Sequence, residues 1–250
     1  MDRFVNKVAV VTGSSAGIGA AISKELLKHG IIVAGLARRM NKLQELANEV
    51  KDSEQYKGKF HPVKCDITNE DDIKLALKWV FENLGPVHIL VNNAGVLSST
   101  YLADITSELI DDSYNTNVKS VLLVSKEVIK NMVENSVEGH IININSVVGQ
   151  VIPKVEPNLY ILYVSTKHAL RVISEGLRRE MIGKKTNIKV TNLSPGLVAT
   201  AMTGGLDIPP EMRSSTLQPE DVADALISVL NTAPHVTISE LTVQPLNFSA

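Results

Sequence analysis

The chain has 250 residues, 27 acidic against 25 basic, for a formal net charge of −2, and 44% hydrophobic content with only 4% aromatic. Acids and bases are interspersed, without the long basic run that a nucleic-acid or anionic-membrane partner requires. No segment reaches the roughly 20 apolar residues that span a bilayer, and the first residues hold no apolar run of signal-peptide length, so a soluble cytoplasmic protein is expected.

Short β-branched runs alternate with longer stretches of helical period. Strands are expected at residues 8–11, 31–36, 61–65, 87–91, 140–145, 188–193 and 236–243, several apolar throughout, as strands covered on both faces are. Ile18, Ile22 and Leu26 recur at helical spacing after the first strand, and Gly30 stops that helix. A second helix fits residues 42–51. A third begins near Thr68 with Glu70, Asp71 and Asp72 in its first turn, where they suit the helix dipole. Long helices are expected over 108–134 and 159–181, and Trp79, at helical spacing with Leu75 on the third helix, is expected to be a partly buried packing residue. The alternation predicts one α/β domain over residues 1–250. It is a doubly wound, Rossmann-type parallel sheet of about seven strands with helices on both faces, binding ligands at the strands' carboxyl ends.

The first strand runs into Thr12-Gly13-Ser14-Ser15-Ala16-Gly17-Ile18-Gly19 and then a helix. Glycines there permit a tight turn and let backbone N–H groups approach a pyrophosphate. Gly13, Ser14, Ser15, Gly17, Ile18 and Gly19 are therefore cofactor candidates. The second strand ends in Ala37-Arg38-Arg39, where an NAD enzyme usually has a carboxylate for the ribose hydroxyls. Arg38 and Arg39 suit the 2′-phosphate of NADP(H), which a guanidinium binds with paired hydrogen bonds; a solvated basic pair is the alternative. Asp66-Ile67 suits recognition of the adenine amino group, though Asp66 could equally serve as a cap or turn residue.

Tyr163 and Lys167 stand four apart and so share a helix face. Hydride transfer to a carbonyl needs a proton for the developing alkoxide, and the reverse needs a base near neutral pH. A tyrosine titrating near 10 needs about 4 kcal/mol of help to serve at neutral pH. Lys167 and an oxidised nicotinamide would supply it. Ser146, just past the fifth strand, can hold the substrate oxygen against Tyr163.

These features together resemble the short-chain dehydrogenase/reductase family over essentially the whole chain. Thr12 to Gly19 matches its glycine motif, and Asn92-Asn93-Ala94-Gly95 its post-strand motif. Asn117, Ser146, Tyr163 and Lys167 match its catalytic tetrad in order and approximate spacing. Pro195-Gly196-Leu197-Val198-Ala199-Thr200 matches the segment gripping the nicotinamide carboxamide. The resemblance implies that Asn117 holds a kink and a proton-relaying water, and that Lys167 also binds the nicotinamide ribose. It further implies that Asn93 and Gly95 flank the cofactor, that Pro195, Gly196, Val198 and Thr200 contact it, and that the chain forms a homodimer or homotetramer through the helices at 108–134 and 159–181. Within the family, the stretches around Gly35 to Arg39 and His140 to Ser146 are similar to insect farnesol dehydrogenases and a related vertebrate keto-steroid and carbonyl reductase. A cofactor-binding sensor or scaffold is the competing reading, and such relatives usually lose the tyrosine or lysine.

The segments after the fourth, fifth and sixth strands are apolar: Val96, Leu97 and Leu102; Val147, Val148, Val151, Ile152, Val155 and Leu159; Val198, Met202, Leu206, Ile208 and Met212. A cleft lined this way suits a lipophilic alcohol or carbonyl, aliphatic, isoprenoid or steroid-like, with farnesol-type alcohols favoured by the resemblance. Residues 197–218, with Gly204, Gly205, Pro209 and Pro210, read as a lid; Arg213 is its one candidate carboxylate anchor. Between Ser146 and Tyr163 lie Pro153, Pro157 and a rival tyrosine, Tyr160, which lacks a lysine four residues on and is read as lining the cleft. Cys65 reads as a small buried hydrophobe. The six histidines show no metal-binding spacing, and His168 falls on another helical face from Lys167.

Overall fold

The computed structural model describes residues 1–152, 160–204 and 216–246. Seven parallel strands form one sheet in the order β3-β2-β1-β4-β5-β6-β7. They are β1 (Val8–Thr12), β2 (Ile32–Ala37), β3 (Phe60–Lys64), β4 (Val87–Asn92), β5 (His140–Ile144), β6 (Lys189–Pro195) and β7 (Glu240–Val243). Connections in such a sheet need crossovers, supplied by α1 (Gly17–Lys28), α2 (Met40–Lys51), α3 (Glu70–Asn83), α4 (Ser107–Tyr114), α5 (Ser120–Glu134), α6 (Ile161–Gly183) and α7 (Pro219–Leu230).

The period-2 alternation of the strands sorts side chains into two cores. Ala9, Val11, Ile89, Val91, Ile142, Ile144 and Leu193 face α1, α2 and α7 through Ile22, Leu26, Leu46, Val222 and Leu226. Val8, Val10, Val87, Leu90, Ile141 and Val190 face α3, α5 and α6 through Ile73, Leu77, Val124, Val128 and Met181. Each such aliphatic side chain contributes about 1.5–3 kcal/mol on burial. Gly30, at φ +75°, ends α1 in the left-handed conformation expected of it.

The helix lengths and some contacts differ from expectation. The helix expected over 108–134 is interrupted: Asn115–Lys119 is a π-helical segment between α4 and α5. α3 starts near Thr68 as expected, with Glu70, Asp71 and Asp72 in its first turn and Asn69 as its cap, whose side chain accepts from Asp71 N and Asp72 N. Trp79 is 41% exposed and Leu75 67%, and the Trp79 ring lies 6.2 Å from that of His61. The last strand is shorter than expected, and α7 begins with a reciprocal cap between Gln218 and Asp221.

A polar ladder crosses the apolar sheet. Asn92, Asn143, Asn192 and Glu240 occupy paired positions on β4 to β7. Asn92 donates to Asn143 Oδ1 (2.8 Å), Asn143 to Ser174 Oγ (2.9 Å), Ser174 to Asn192 Oδ1 (3.3 Å), and Asn192 to the Glu240 carboxylate (2.8 and 3.0 Å). Buried amides are tolerated here because each has partners.

Candidate active site

At the carboxyl ends of the strands a crevice of about 400 Å³ runs from the ends of β2 and β3 to the first turn of α6. At one end stand Arg38, Arg39, Asp66, Ile67 and Thr68; at the middle Gly13, Ser15, Gly17, Ile18, Asn93 and Gly95, with Thr200 against Gly17; at the other end Tyr163 and Lys167. The sheet order reverses at β1, the usual position for a nucleotide in this class of fold.

The turn after β1 is held by cross-strand side chains. Thr12 Oγ1 accepts from Asn93 N (3.0 Å) and Ala94 N (3.1 Å), and Asn93 Nδ2 donates to Thr12 O (2.9 Å). Gly13 lies at φ +70°, and a Cβ there would meet Ala94 Cα and Asn93 Nδ2 at 2.9 Å. The cradle thus needs glycine for both conformation and space. Arg39 donates to Ser15 Oγ from Nε (3.2 Å) and a terminal nitrogen (2.8 Å), placing a guanidinium at the lip of the turn.

Asp66 Oδ1 accepts from Thr68 N (3.0 Å) and Thr68 Oγ1 (2.7 Å), so it makes a local turn while lining the crevice. Burial raises its pKa, but the Thr68 hydrogen bonds and the Arg38 charge outweigh that and hold the carboxyl below its ordinary value.

The π-helical segment buries Asn117, whose Oδ1 accepts from Val96 N (2.8 Å) and whose Nδ2 donates to Val96 O (2.8 Å) and Thr166 Oγ1 (3.1 Å). One amide therefore clamps the segment following β4 to the helix carrying Tyr163 and Lys167. Lys167 is 5% exposed; its Nζ donates to Ile144 O (3.0 Å) and lies 5.6 Å from the Tyr163 ring centroid. Burial lowers its pKa to about 8. Burial pushes the Tyr163 hydroxyl up to about 12, and a hydrogen bond with Ser146 pulls it back only in part. At this phenol burial outweighs the hydrogen bond to Ser146.

Other predicted residues lie outside the crevice lining. Ser14 is buried and donates to Val11 O (2.7 Å), and Gly19 is buried within α1. Ser146 caps the short turn Val147–Gly149 beside Tyr163. Pro195 ends β6, Gly196 N donates to Val243 O (2.7 Å), and Val198 bridges to Leu217. Of the proposed lid and cleft residues, Pro153, Val155, Pro157, Leu159, Gly205, Leu206, Ile208, Pro209, Pro210, Met212 and Arg213 lie outside the described residues. Met202 and Val96 line the crevice; Leu102, Val151 and Ile152 are exposed. Tyr160 precedes α6. His168 Nδ1 lies 3.0 Å from Val164 O, within its own helix.

The crevice also contains Cys65, Thr116, Ile144 and Asn145, which motif reading missed. Each sits at or just beyond a strand's carboxyl end or in the π-helical segment, so strand ends were the available signal. Burial, with Asp72 and Asp66 nearby, pushes the Cys65 thiol up to about 12, so it stays a packed thiol rather than a nucleophile.

A sheet of this order with such a cradle defines a dinucleotide-binding oxidoreductase fold, and the short chain dehydrogenase family model matches residues 7–209. The chain belongs to the short-chain dehydrogenase/reductase family. It is 41% identical over 248 residues to the farnesol dehydrogenase of Aedes aegypti, covering 98% of both chains. It is 38% identical over 253 residues to dehydrogenase/reductase SDR family member 11 of Mus musculus, covering 98% of this chain and 96% of that one. Among solved structures, it is similar to the alcohol dehydrogenase of the archaeon Thermococcus sibiricus complexed with 5-hydroxy-NADP, with TM-score 0.84, 26% identity and 98% of both chains covered. It is also similar to the closed form of serine dehydrogenase complexed with NADP+, with TM-score 0.82, 30% identity, and 97% and 96% covered. The chain is thus an oxidoreductase with a nicotinamide cofactor. Among the described residues no helix is long and apolar enough to cross a membrane, and no group of His, Cys, Asp and Glu could hold a metal ion.

Proposed function

We propose that this chain is an NADP(H)-dependent alcohol dehydrogenase and carbonyl reductase. It acts on lipophilic substrates through Asn117, Ser146, Tyr163 and Lys167, as a cytoplasmic homodimer or homotetramer. The observation that carries this reading is one crevice joining Arg38 and Arg39 to Tyr163 and Lys167. The residues fit the cofactor: the Gly13 cradle accepts no Cβ, and Arg39 is already hydrogen-bonded beside it at Ser15. With no carboxylate at the end of β2, the arginine pair favours the 2′-phosphate of NADP(H) over the free ribose of NAD(H).

Bound NADP(H) supplies or accepts the hydride at the substrate carbon. Ser146 donates to the substrate oxygen and orients it towards Tyr163. In carbonyl reduction the Tyr163 hydroxyl gives its proton to that oxygen as alkoxide character develops; in alcohol oxidation the proton returns. Lys167, with a pKa lowered to about 8, can hold positive charge beside the ring or pass a proton near neutral pH. Asn117 keeps both on one face by tying α6 to the Val96 backbone.

The substrate class rests on Val96 and Met202 in the crevice, the exposed Leu102, Val151 and Ile152 in the segments after β4 and β5, and the likeness to a farnesol dehydrogenase. Each methylene buried adds about 0.8 kcal/mol, roughly fourfold. kcat/KM for primary alcohols with NADP+ should therefore climb with chain length towards farnesol. A series that stays flat or falls from short to long chains overturns the lipophilic assignment.

A further inference from the structure

At the opposite end of the sheet, beneath the amino ends of the strands, lies a second cavity of about 690 Å³. Lys7 stands just before β1, His88 is in β4, His140 opens β5 and Lys189 opens β6. Arg3 and His235 complete a basic wall, and Glu138 is the one acid among the described lining residues. None of Arg3, Lys7 and Lys189 has an ion pair among the described residues.

Two of these cations are fixed by neutral groups. Arg3 donates to Leu230 O (2.8 Å) and stacks over the Phe4 ring, and Lys189 Nζ donates to Ala233 O (2.9 Å) and Val236 O (2.5 Å). Carbonyls anchor a cation without neutralising it. Like charges facing one concavity focus their field into it. Burial lowers the pKa of Lys189, and Arg3 lowers it further against Glu138; burial, then Lys7, acts likewise on His88, over an opposing hydrogen bond to Pro86 O.

His140, one of the lining residues, carries an unpaired acceptor buried behind the wall. Thr191 Oγ1 donates to Ile238 O (2.6 Å), so its hydrogen is spent and it accepts from His140 Nε2 (2.8 Å). That fixes the Nε2–H tautomer and leaves His140 Nδ1 a lone-pair acceptor. His140 is 1% exposed and Nδ1 has no partner. A bare anion would satisfy the cations and leave this nitrogen orphaned.

We propose that this cavity binds a small dianion bearing its own hydrogen-bond donor, of the hydroxydicarboxylate class, with carboxylates on Arg3, Lys7 and Lys189 and a hydroxyl donating to His140 Nδ1. The site lies at the far end of β5 from Ser146 and is separate from the oxidoreductase crevice.

Malate and succinate match in charge and chain length and differ in the hydroxyl. Each is titrated into the full chain at neutral pH by calorimetry, with the ¹⁵N resonances of His140 followed in parallel. Malate is expected to bind one per chain, at least about fivefold tighter than succinate, from one added hydrogen bond. It should move the Nδ1 resonance while the Nε2–H tautomer persists. Lys7→Glu, at an exposed position, should weaken malate at least tenfold and Lys7→Gln at least threefold. Arg38→Ala, in the other crevice, should leave it unchanged. Absence of saturable binding, equal affinity for the two acids, or loss of binding in Arg38→Ala rather than in the Lys7 variants overturns the assignment.

Discussion

Arg39 reaches back across the sheet to hydrogen-bond Ser15, joining the end of β2 to the turn after β1. The contact is exposed, so it adds little stability by itself. It does fix where positive charge stands when a phosphate enters, and it leaves Arg38 free to face Asp66 and the crevice.

Arg38→Asp should lower kcat/KM with NADPH by at least about 30-fold, the loss of roughly 2 kcal/mol from a charge-assisted pair. kcat/KM with NADH should change far less, since no 2′-phosphate is at stake. Steady-state kinetics with both nucleotides read this out; a wild type that prefers NAD(H) contradicts the cofactor assignment.

The buried ladder makes a prediction about stability. Asn143 is 0% exposed and links Asn92 to Ser174. Asn143→Ala removes both bonds, while Asn92 Nδ2 keeps Ser125 Oγ (3.0 Å) and Ser174 Oγ keeps Leu170 O (2.8 Å), so the loss is about 0.5–1.5 kcal/mol for each bond. At about 2–4 °C per kcal/mol for a chain of this size, Tm should fall by roughly 2–12 °C. A thermal melt within a degree or two of wild type would mean that water or repacking satisfies the ladder.

The strands were legible because their runs are apolar throughout, and Gly30, Gly13 and the Tyr163–Lys167 spacing each carry local meaning. Periodicity did not show the break at Asn115–Lys119, which depends on Asn117 meeting Val96, 21 residues earlier; only the family resemblance implied a kink at Asn117. Asn145 and Thr116 enter the crevice by position at the ends of elements, not by a motif. Tyr163 shows the same limit: spacing reveals the lysine partner but not the burial that pushes the hydroxyl up to about 12.

His140 gives a pH dependence. Burial first, then Lys189 and Arg3, lower its pKa from 6.5 to about 3. The unfolded chain therefore binds a proton between those values that the folded chain does not. The resulting stability is fully present above 6.5 and is lost as pH falls towards about 3. His140→Asn should flatten the fall in Tm across that window. An unchanged slope in calorimetric melts would show that His140 charges freely in the fold.

The central claim is that Tyr163 moves the proton in a hydride transfer, and a single-turnover measurement tests it most directly. Enzyme loaded with NADPH is mixed with farnesal and the loss of nicotinamide absorbance is followed in wild type, Tyr163→Phe and Tyr160→Phe. Wild type should oxidise NADPH. Tyr163→Phe should bind NADPH with unchanged affinity, because the Gly13 cradle and the arginines are untouched, yet transfer hydride at least about 100-fold more slowly, the scale of a lost general acid. Tyr160→Phe should keep most of the rate. Retained transfer in Tyr163→Phe with loss in Tyr160→Phe would contradict the account.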